Sequence, residues 1–257
     1  MRRSTIPAVL RISSICLALG AAILFGAIGD ARKASALDWN CASRHTVDPG
    51  EPINIGQLKG VLREYRYCGD YDRDFASKIA EAKAALQDKA AKAENPALVL
   101  DIDETSLSNW LEIELDDFAF IPGGACTLEG GYACGDTAWE LSARAEALSP
   151  TLELFNLAKS LNVTVFFITG RPNRPDLKAA TVKNLREAGY DGWKELFMRP
   201  VSSPGASVSD YKTRTRKHIQ DDLHYHIIVN VGDQHSDLVN GYADQIFKVP
   251  NPFYFIP

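Results

Sequence analysis

An apolar run that ends in two carboxylates constrains this chain more than any other stretch. Leu98-Val99-Leu100-Asp101-Ile102-Asp103-Glu104-Thr105 reads as a buried strand, Ala97–Leu100, followed at once by Asp101 and Asp103. Side chains at i and i+2 of an extended chain share a face, so both carboxylates point at one small site. Like charges held that close repel unless a cation or a proton separates them. The pair therefore calls for a metal, a reaction, or both. A calcium loop of the EF-hand kind fits poorly. Asp101, Asp103, Thr105, Asn109 and Glu112 have its spacing, but Ser106 stands at the required glycine and a strand, not a helix, precedes the loop.

Strand and helix patterns alternate along the rest of the chain. Ile55–Tyr65 and Asp72–Lys92 read as helices, the second with Phe75, Ile79, Ala82 and Leu86 on a core-facing stripe. After Pro150 come a helix at Leu152–Leu161, a strand at Val163–Ile168, and a helix at Asp176–Ala188 closed by Gly189. A strand at Glu195–Met198, a helix at Ser209–Asp222, and strands at His226–Val231 and Gln245–Val249 complete the series. Such alternation implies a parallel sheet covered on both faces, and ligands of such sheets bind at the carboxyl ends of the strands.

The reactive residues collect at those ends. Asp101 and Asp103 follow the first strand, Thr169-Gly170-Arg171 the second, and Gly232-Asp233-Gln234-His235-Ser236-Asp237 the fourth. Lys212 lies in the first turn of the helix opening at Ser209. Thr-Gly after a strand is most often a turn, and Asp-x-Asp occurs on many loops. Their coincidence at one sheet edge is the signal.

The first 36 residues have the layout of a secretory signal peptide: Arg2 and Arg3, an apolar stretch from Ile12 to Gly29, then Ala34-Ser35-Ala36. An uncleaved membrane anchor is the alternative. Removal of residues 1–36 takes five of 28 basic and one of 33 acidic residues, leaving 23 against 32, a net charge of −9. That balance argues against a nucleic-acid partner, whose phosphates need dense positive patches. Export would leave four cysteines in an oxidising compartment, and local pairing favours Cys41–Cys68 and Cys126–Cys134. No zinc-type spacing accompanies them.

These motifs resemble those of the haloacid dehalogenase (HAD) superfamily. Asp101-Ile102-Asp103-Glu104-Thr105 matches its D-x-D-x-T motif, Thr169 the second motif, Lys212 the third, and Gly232-Asp233 with Asp237 the fourth. The runs DIDETSLSN, FFITGRP, YKTRTR, VGDQHSDL and FKVPNPFYF are similar to the acid phosphatase branch, subfamily IIIB. That branch holds plant acid phosphatases, vegetative storage proteins and secreted bacterial acid phosphatases. The likeness spans most of residues 38–257 and is weakest over 109–149.

The resemblance implies an α/β, Rossmann-like three-layer fold with a parallel sheet and a small helical cap. Residues 37–257 would be the phosphatase domain, 37–94 its N-terminal helical segment and 109–149 a cap insertion, joined over the site by helices of residues 55–93. The implied activity is Mg²⁺-dependent hydrolysis of small phosphomonoesters, with a nucleoside monophosphate held by an aromatic as one candidate substrate. Asp101 would be the nucleophile and Asp103 the general acid and base. Asp101, the main-chain carbonyl of Asp103, and Asp233 would hold Mg²⁺. Thr169, Gly170 and Lys212 would bind phosphate. Asp237 would ligate through water or orient Lys212, and Thr105 would shape the loop. The branch also contains members that lost the nucleophile and serve storage, and transfer to an alcohol would use the same residues.

Several other residues have plainer readings. Arg171 either touches phosphate or braces its loop. Arg214 and Arg216 read as a solvated helix face, Lys217 as the rival to Lys212, and His224 and His226 as the start of a strand. His235 adjoins Asp233 and reads as outside the reaction. The aromatics Trp110, Phe118, Phe120, Tyr132 and Trp139 read as the insertion's own core.

Overall fold

A computed structural model describes residues 41–47, 49–201 and 207–256; the signal-peptide expectation for 1–36 lies outside them. Five parallel strands form the sheet, in the order β5-β4-β1-β6-β7. They are β1 (Pro96–Leu100), β4 (Thr164–Pro172), β5 (Glu195–Arg199), β6 (His226–Gly232) and β7 (Gln245–Lys248). Leu98 and Leu100 lie beside Val165 and Phe167 of β4, and beside Val229 and Val231 of β6. The central strand is thus apolar on both sides, as a sheet covered on both faces demands.

Period-two alternation decides which face each residue feeds. Leu98, Leu100, Val165 and Phe167 join a core with Phe75 and Ile79 of α2 (Asp70–Ala90), Phe155 of α5 (Ser149–Ser160) and Leu185 of α6 (Pro175–Glu187). Ala97, Val99, Phe166 and Ile168 meet Ile219 of α7 (Val208–Asp221) on the other face. Helices on both faces make three layers, the expected α/β arrangement.

The helix over 70–90 departs from the expected cap role. Its apolar stripe, Tyr71, Phe75, Ile79, Ala82 and Leu86, is buried in the core under the sheet. α1 (Ile55–Tyr67) leans on the 109–149 segment, through Tyr67 on Trp110 and through Lys59 and Arg63 on Asp117. A stripe of that width finds enough apolar partners only on the sheet. The Cys41–Cys68 disulfide ties the chain before α1 to the turn after it.

Residues 107–149 contain only short pieces. A two-stranded antiparallel ribbon pairs β2 (Leu107–Ser108) with β3 (Glu146–Ala147) and closes the segment at its base. Between them lie α3 (Trp110–Leu115), a 3₁₀ turn (Leu128–Gly130) and α4 (Asp136–Ser142), with the Cys126–Cys134 disulfide bridging the loop. The expected aromatic core is divided. Trp110 and Trp139 are buried and Phe118 partly so, whereas Phe120 and Tyr132 are exposed.

Candidate active site

The strand ends open into a cavity of about 550 Å³ between the sheet edge and the 109–149 segment. Asp101, Asp103, Gly170, Arg171, Lys212, Asp233, Ser236 and Asp237 line it from the sheet side. Geometry after β1 explains how the two leading carboxylates are presented. Asp101 N–H still donates to Val231 O, so the residue remains on the sheet. The carbonyl of Ile102 then accepts from the amides of Thr105, Ser106 and Leu107, and the chain turns sharply. Glu104 takes a positive φ of 50° inside that turn. Its buried carboxylate is held by the amide of Asn109 at 2.5 Å, Asn109 Nδ2 at 3.0 Å and the Tyr254 hydroxyl at 2.9 Å. Those bonds offset the strain of a side chain in left-handed backbone.

Asp101 and Asp103 have different partners. Lys212 Nζ donates to Asp101 Oδ1 at 2.5 Å and also to Asp237 Oδ1. Lys212 is buried yet stays firmly charged: burial opposes its charge, but the two carboxylates raise its pKa. Ser207 caps α7 and so fixes the first turn that carries Lys212, accepting from the Asp210 amide at 3.0 Å. Asp103 instead meets the fork of Arg171, with Nη2 at 2.6 Å and Nε at 3.1 Å, and Asn109 Nδ2 at 2.9 Å. Burial pushes Asp103 up, but the guanidinium's charge and hydrogen bonds hold it below the usual carboxylate range. Arg171 therefore braces Asp103. The side chain expected to be free for proton transfer is tied in a buried ion pair.

Thr169 is fully buried at the end of β4, its Oγ1 accepting from the Arg171 amide at 3.1 Å and lying 3.5 Å from Asp103. Gly170 lines the cavity beside it. Thr105 Oγ1 lies 3.4 Å from Asp233, and its carbonyl accepts from Thr151 at 2.6 Å. Asp233 Oδ2 accepts from Asn251 at 2.6 Å and from the Gln234 side chain at 2.7 Å. Asp237 Oδ2 accepts from the Gln234 amide at 2.9 Å, which closes the short α8 (His235–Leu238) onto β6. Gly232 is required there: a Cβ on it would sit 2.3 Å from Asp237 Cβ.

One carboxylate oxygen each from Asp101, Asp233 and Asp237 lies within 4.8 Å of the others. Of these three buried carboxylates two share the Lys212 ammonium, and among the described residues Asp233 has only neutral amide donors and the Thr105 hydroxyl beside it. Burial and mutual repulsion push Asp101 up and Asp233 to about 7. A hard divalent cation is the charge that relieves such a cluster, and all-oxygen donors suit it. The Ser236 hydroxyl, buried at the same wall, has no hydrogen-bond partner among the described residues. The residues present therefore fit a hydrated divalent metal ion.

Arg216 corrects the expectation of a solvated helix face. It is buried and donates to the carbonyls of Asp237 and Val239, and to Gly241 at 3.1 Å, bracing the loop behind Asp237. Arg214 and Lys217 are exposed, Lys217 pairing with Asp221. His226 pairs with Asp244 at 2.8 Å, and His235 is exposed outside the cavity. Glu104, Asn109, Asn251 and Tyr254 went unassigned in the sequence. Glu104 was visible only as part of DIDET, and Asn251 and Tyr254 only as part of the terminal FKVPNPFYF run.

Comparison with known proteins decides the family. The pattern of the HAD superfamily, subfamily IIIB (Acid phosphatase), matches residues 31–257. This chain belongs to that family. Its sequence is 32% identical to Acid phosphatase 1 of Solanum lycopersicum over 168 residues, 62% of this chain and 58% of the relative. The chain thus spans little more than half the length of that relative. It is 29% identical to Vegetative storage protein 1 of Arabidopsis thaliana over 234 residues, 85% of this chain and 79% of the relative. The fold of this subfamily IIIB chain is shared with the class C acid phosphatase of Bacillus anthracis, solved with tungstate bound. The TM-score is 0.58 at 20% identity, over 74% of this chain and 82% of the other.

Proposed function

We propose that this subfamily IIIB protein is an exported acid phosphatase that hydrolyses phosphomonoesters through an aspartyl-phosphate, with Mg²⁺ at the strand ends. The observation that carries the reading is the convergence of Asp101, Asp233 and Asp237 around Lys212 in one buried wall of the cavity. An apolar sheet gains nothing structurally from three acids at its edge. Asp101, Asp233 and the carbonyl of Asp103 would hold Mg²⁺, with Asp237 in support. When bound, the ion offsets charge between the nucleophile and the phosphate.

The chain's own residues supply the rest. Asp101 attacks phosphorus from the floor of the cavity, and a carboxylate leaves an acyl-phosphate labile enough to hydrolyse. Lys212, shared by Asp101 and Asp237, holds the nucleophile in place and offsets the charge moving onto phosphoryl oxygens. Thr169 and the Gly170 amide donate to those oxygens. Asp103 protonates the departing alkoxide and then takes a proton from water. Because Arg171 holds Asp103 ionised, the first half-reaction needs proton uptake, which fits an acid working range. The 109–149 segment serves as the cap, and its two faces make the alcohol-binding side. The two disulfides agree with passage through an oxidising compartment after a cleaved leader.

The test is phosphate release from p-nitrophenyl phosphate by residues 37–257. Turnover is expected with Mg²⁺, none with Asp101→Asn, and none after exhaustive chelation. Full turnover by Asp101→Asn would remove the covalent route. No turnover by the wild-type chain would leave a storage-type relative, and phosphoryl transfer to added alcohol in preference to water would make the chain a transferase.

A further inference from the structure

The cavity's second wall carries carboxylates that the reaction does not use. Glu112 on α3 and Asp136 and Glu140 on α4 all line it, opposite the strand ends. Asp136 and Glu140 stand one helical turn apart and so share a face. Glu112 is 8% exposed, and its side chain makes no hydrogen bond or ion pair among the described residues. An ionised carboxylate so placed and without a partner is costly unless a counter-charge or a proton reaches it. Among the described residues Glu140 pairs with Arg171 alone, at 3.4 Å, and that guanidinium is already committed to Asp103 at 2.6 Å. Burial, with repulsion from neighbouring carboxylates that include Asp103, pushes Glu112 to about 9, Glu140 to about 8 and Asp136 to about 6.

The spacing of the trio says what kind of cation suits it. Among the described residues, only Asp101, Asp233 and Asp237 bring three ligand oxygens within 4.8 Å of one another. Glu112, Asp136 and Glu140 do not converge that tightly and so do not form a site for a bare metal ion. The aromatic side chains of Phe118, Trp139, Phe253 and Tyr254 line the same cavity, as does Arg199. Carboxylates interleaved with aromatic faces attract organic ammonium groups, through charge and through the negative face of each ring. A cavity of about 550 Å³ has room for phosphate at one wall and a small alcohol reaching the other.

We infer that this wall selects phosphomonoesters whose alcohol carries an ammonium group, primary or quaternary, and that Glu112 is the residue that reads the charge. The inference rests on the phosphatase reading for the placement of phosphate at the strand ends. The ammonium then takes the place of the protons that Glu112 and Glu140 otherwise hold near neutral pH, each displaced proton passing to solvent, and pairs with the carboxylates so formed. Neutral sugar or glycerol phosphates bring no such charge and leave Glu112 and Glu140 protonated.

The experiment uses two shape-matched substrates, phosphocholine and 3,3-dimethylbutyl phosphate, which differ by the positive charge alone. With Mg²⁺ near neutral pH, kcat/KM for phosphocholine is expected to exceed that of its neutral isostere by roughly tenfold or more, mostly in KM. Glu112→Gln should bring the ratio towards one. Misfolding would lower both substrates together and leave the ratio unmoved, so the ratio itself reports the role. Equal turnover of the two by the wild-type chain, or a ratio that survives both Glu112→Gln and Asp136→Asn, overturns the proposal. p-Nitrophenyl phosphate reports the phosphatase reading separately. If no ester turns over, that reading fails, and calorimetric titration of the same two esters still decides the inference: tighter binding of phosphocholine sustains it, equal binding ends it.

Discussion

The two walls of the cavity treat buried carboxylates in opposite ways. On the strand-end wall each acid has partners. Asp103 has the Arg171 fork, Asp101 and Asp237 share Lys212, and Asp233 takes amides from Gln234 and Asn251. On the facing wall Glu112 and Asp136 have no side-chain bond among the described residues, and Glu140 reaches only a guanidinium used elsewhere. A buried charge is tolerated when its partners are built in. The strand-end wall is organised before anything arrives; the facing wall is completed by what enters.

Breaking the strand-end wall has the largest effect. Asp101→Asn keeps the shape and removes the proposed nucleophile, so phosphate release should fall by roughly a thousandfold or more, measured on p-nitrophenyl phosphate. Retained activity would mean that the paired wall is structural only. Lys212→Met comes next. It strands Asp101 and Asp237 without their ammonium, and denaturant titration in a chelator should show a loss of about 3–5 kcal/mol. Mg²⁺ should recover part of that loss, because the ion brings charge to the same carboxylates. Arg171→Met should cost about 3 kcal/mol, the low end of that range, because Asp103 keeps 25% exposure to water. An Arg171→Met loss larger than that of Lys212→Met would reverse the ranking of the two pairs.

Legibility in the sequence follows the same division. Regular alternation of apolar strands and striped helices is a repeated signal, so the five strands of the parallel sheet were readable, although β4 runs to Pro172, past the expected end at Ile168. Asp101, Thr169, Lys212 and Asp233 could be placed together because a parallel sheet puts all its carboxyl ends on one edge. Ion pairing across that edge was not readable. That Arg171 clasps Asp103, or that Arg216 turns inward onto three carbonyls, depends on side-chain directions that no local pattern encodes. The facing wall was least legible. Its helices are six and seven residues long, too short for a periodic stripe. Asp117 and Phe118 take positive φ without being glycine. The one available signal was an i, i+4 pair of acids, Asp136 and Glu140, in an aromatic segment.

The smallest expected effect probes the facing wall through pH. Folding raises Glu112 from the ordinary 4.5 to about 9, through burial and then repulsion by Asp136, Asp116 and Asp103. Between those values the folded protein holds a proton that the unfolded chain releases. Stability from this group is therefore complete below about pH 4.5 and is lost as pH rises through about 9. Glu140 and Asp136 act in the same sense, ending near 8 and 6. Asp117 and Asp244, held low by cations, act oppositely and lose their contribution in acid. Glu112→Gln deletes one rising-pH penalty and leaves the others. Its melting temperature should equal that of the wild type near pH 4.5 and exceed it by about 2–4 °C near pH 9. Chelator present throughout holds the strand-end wall constant, so its titrations cancel in the difference. Parallel melting curves across that window would mean that Glu112 has a counter-charge after all, and the contrast between the walls would narrow to Asp136 and Glu140.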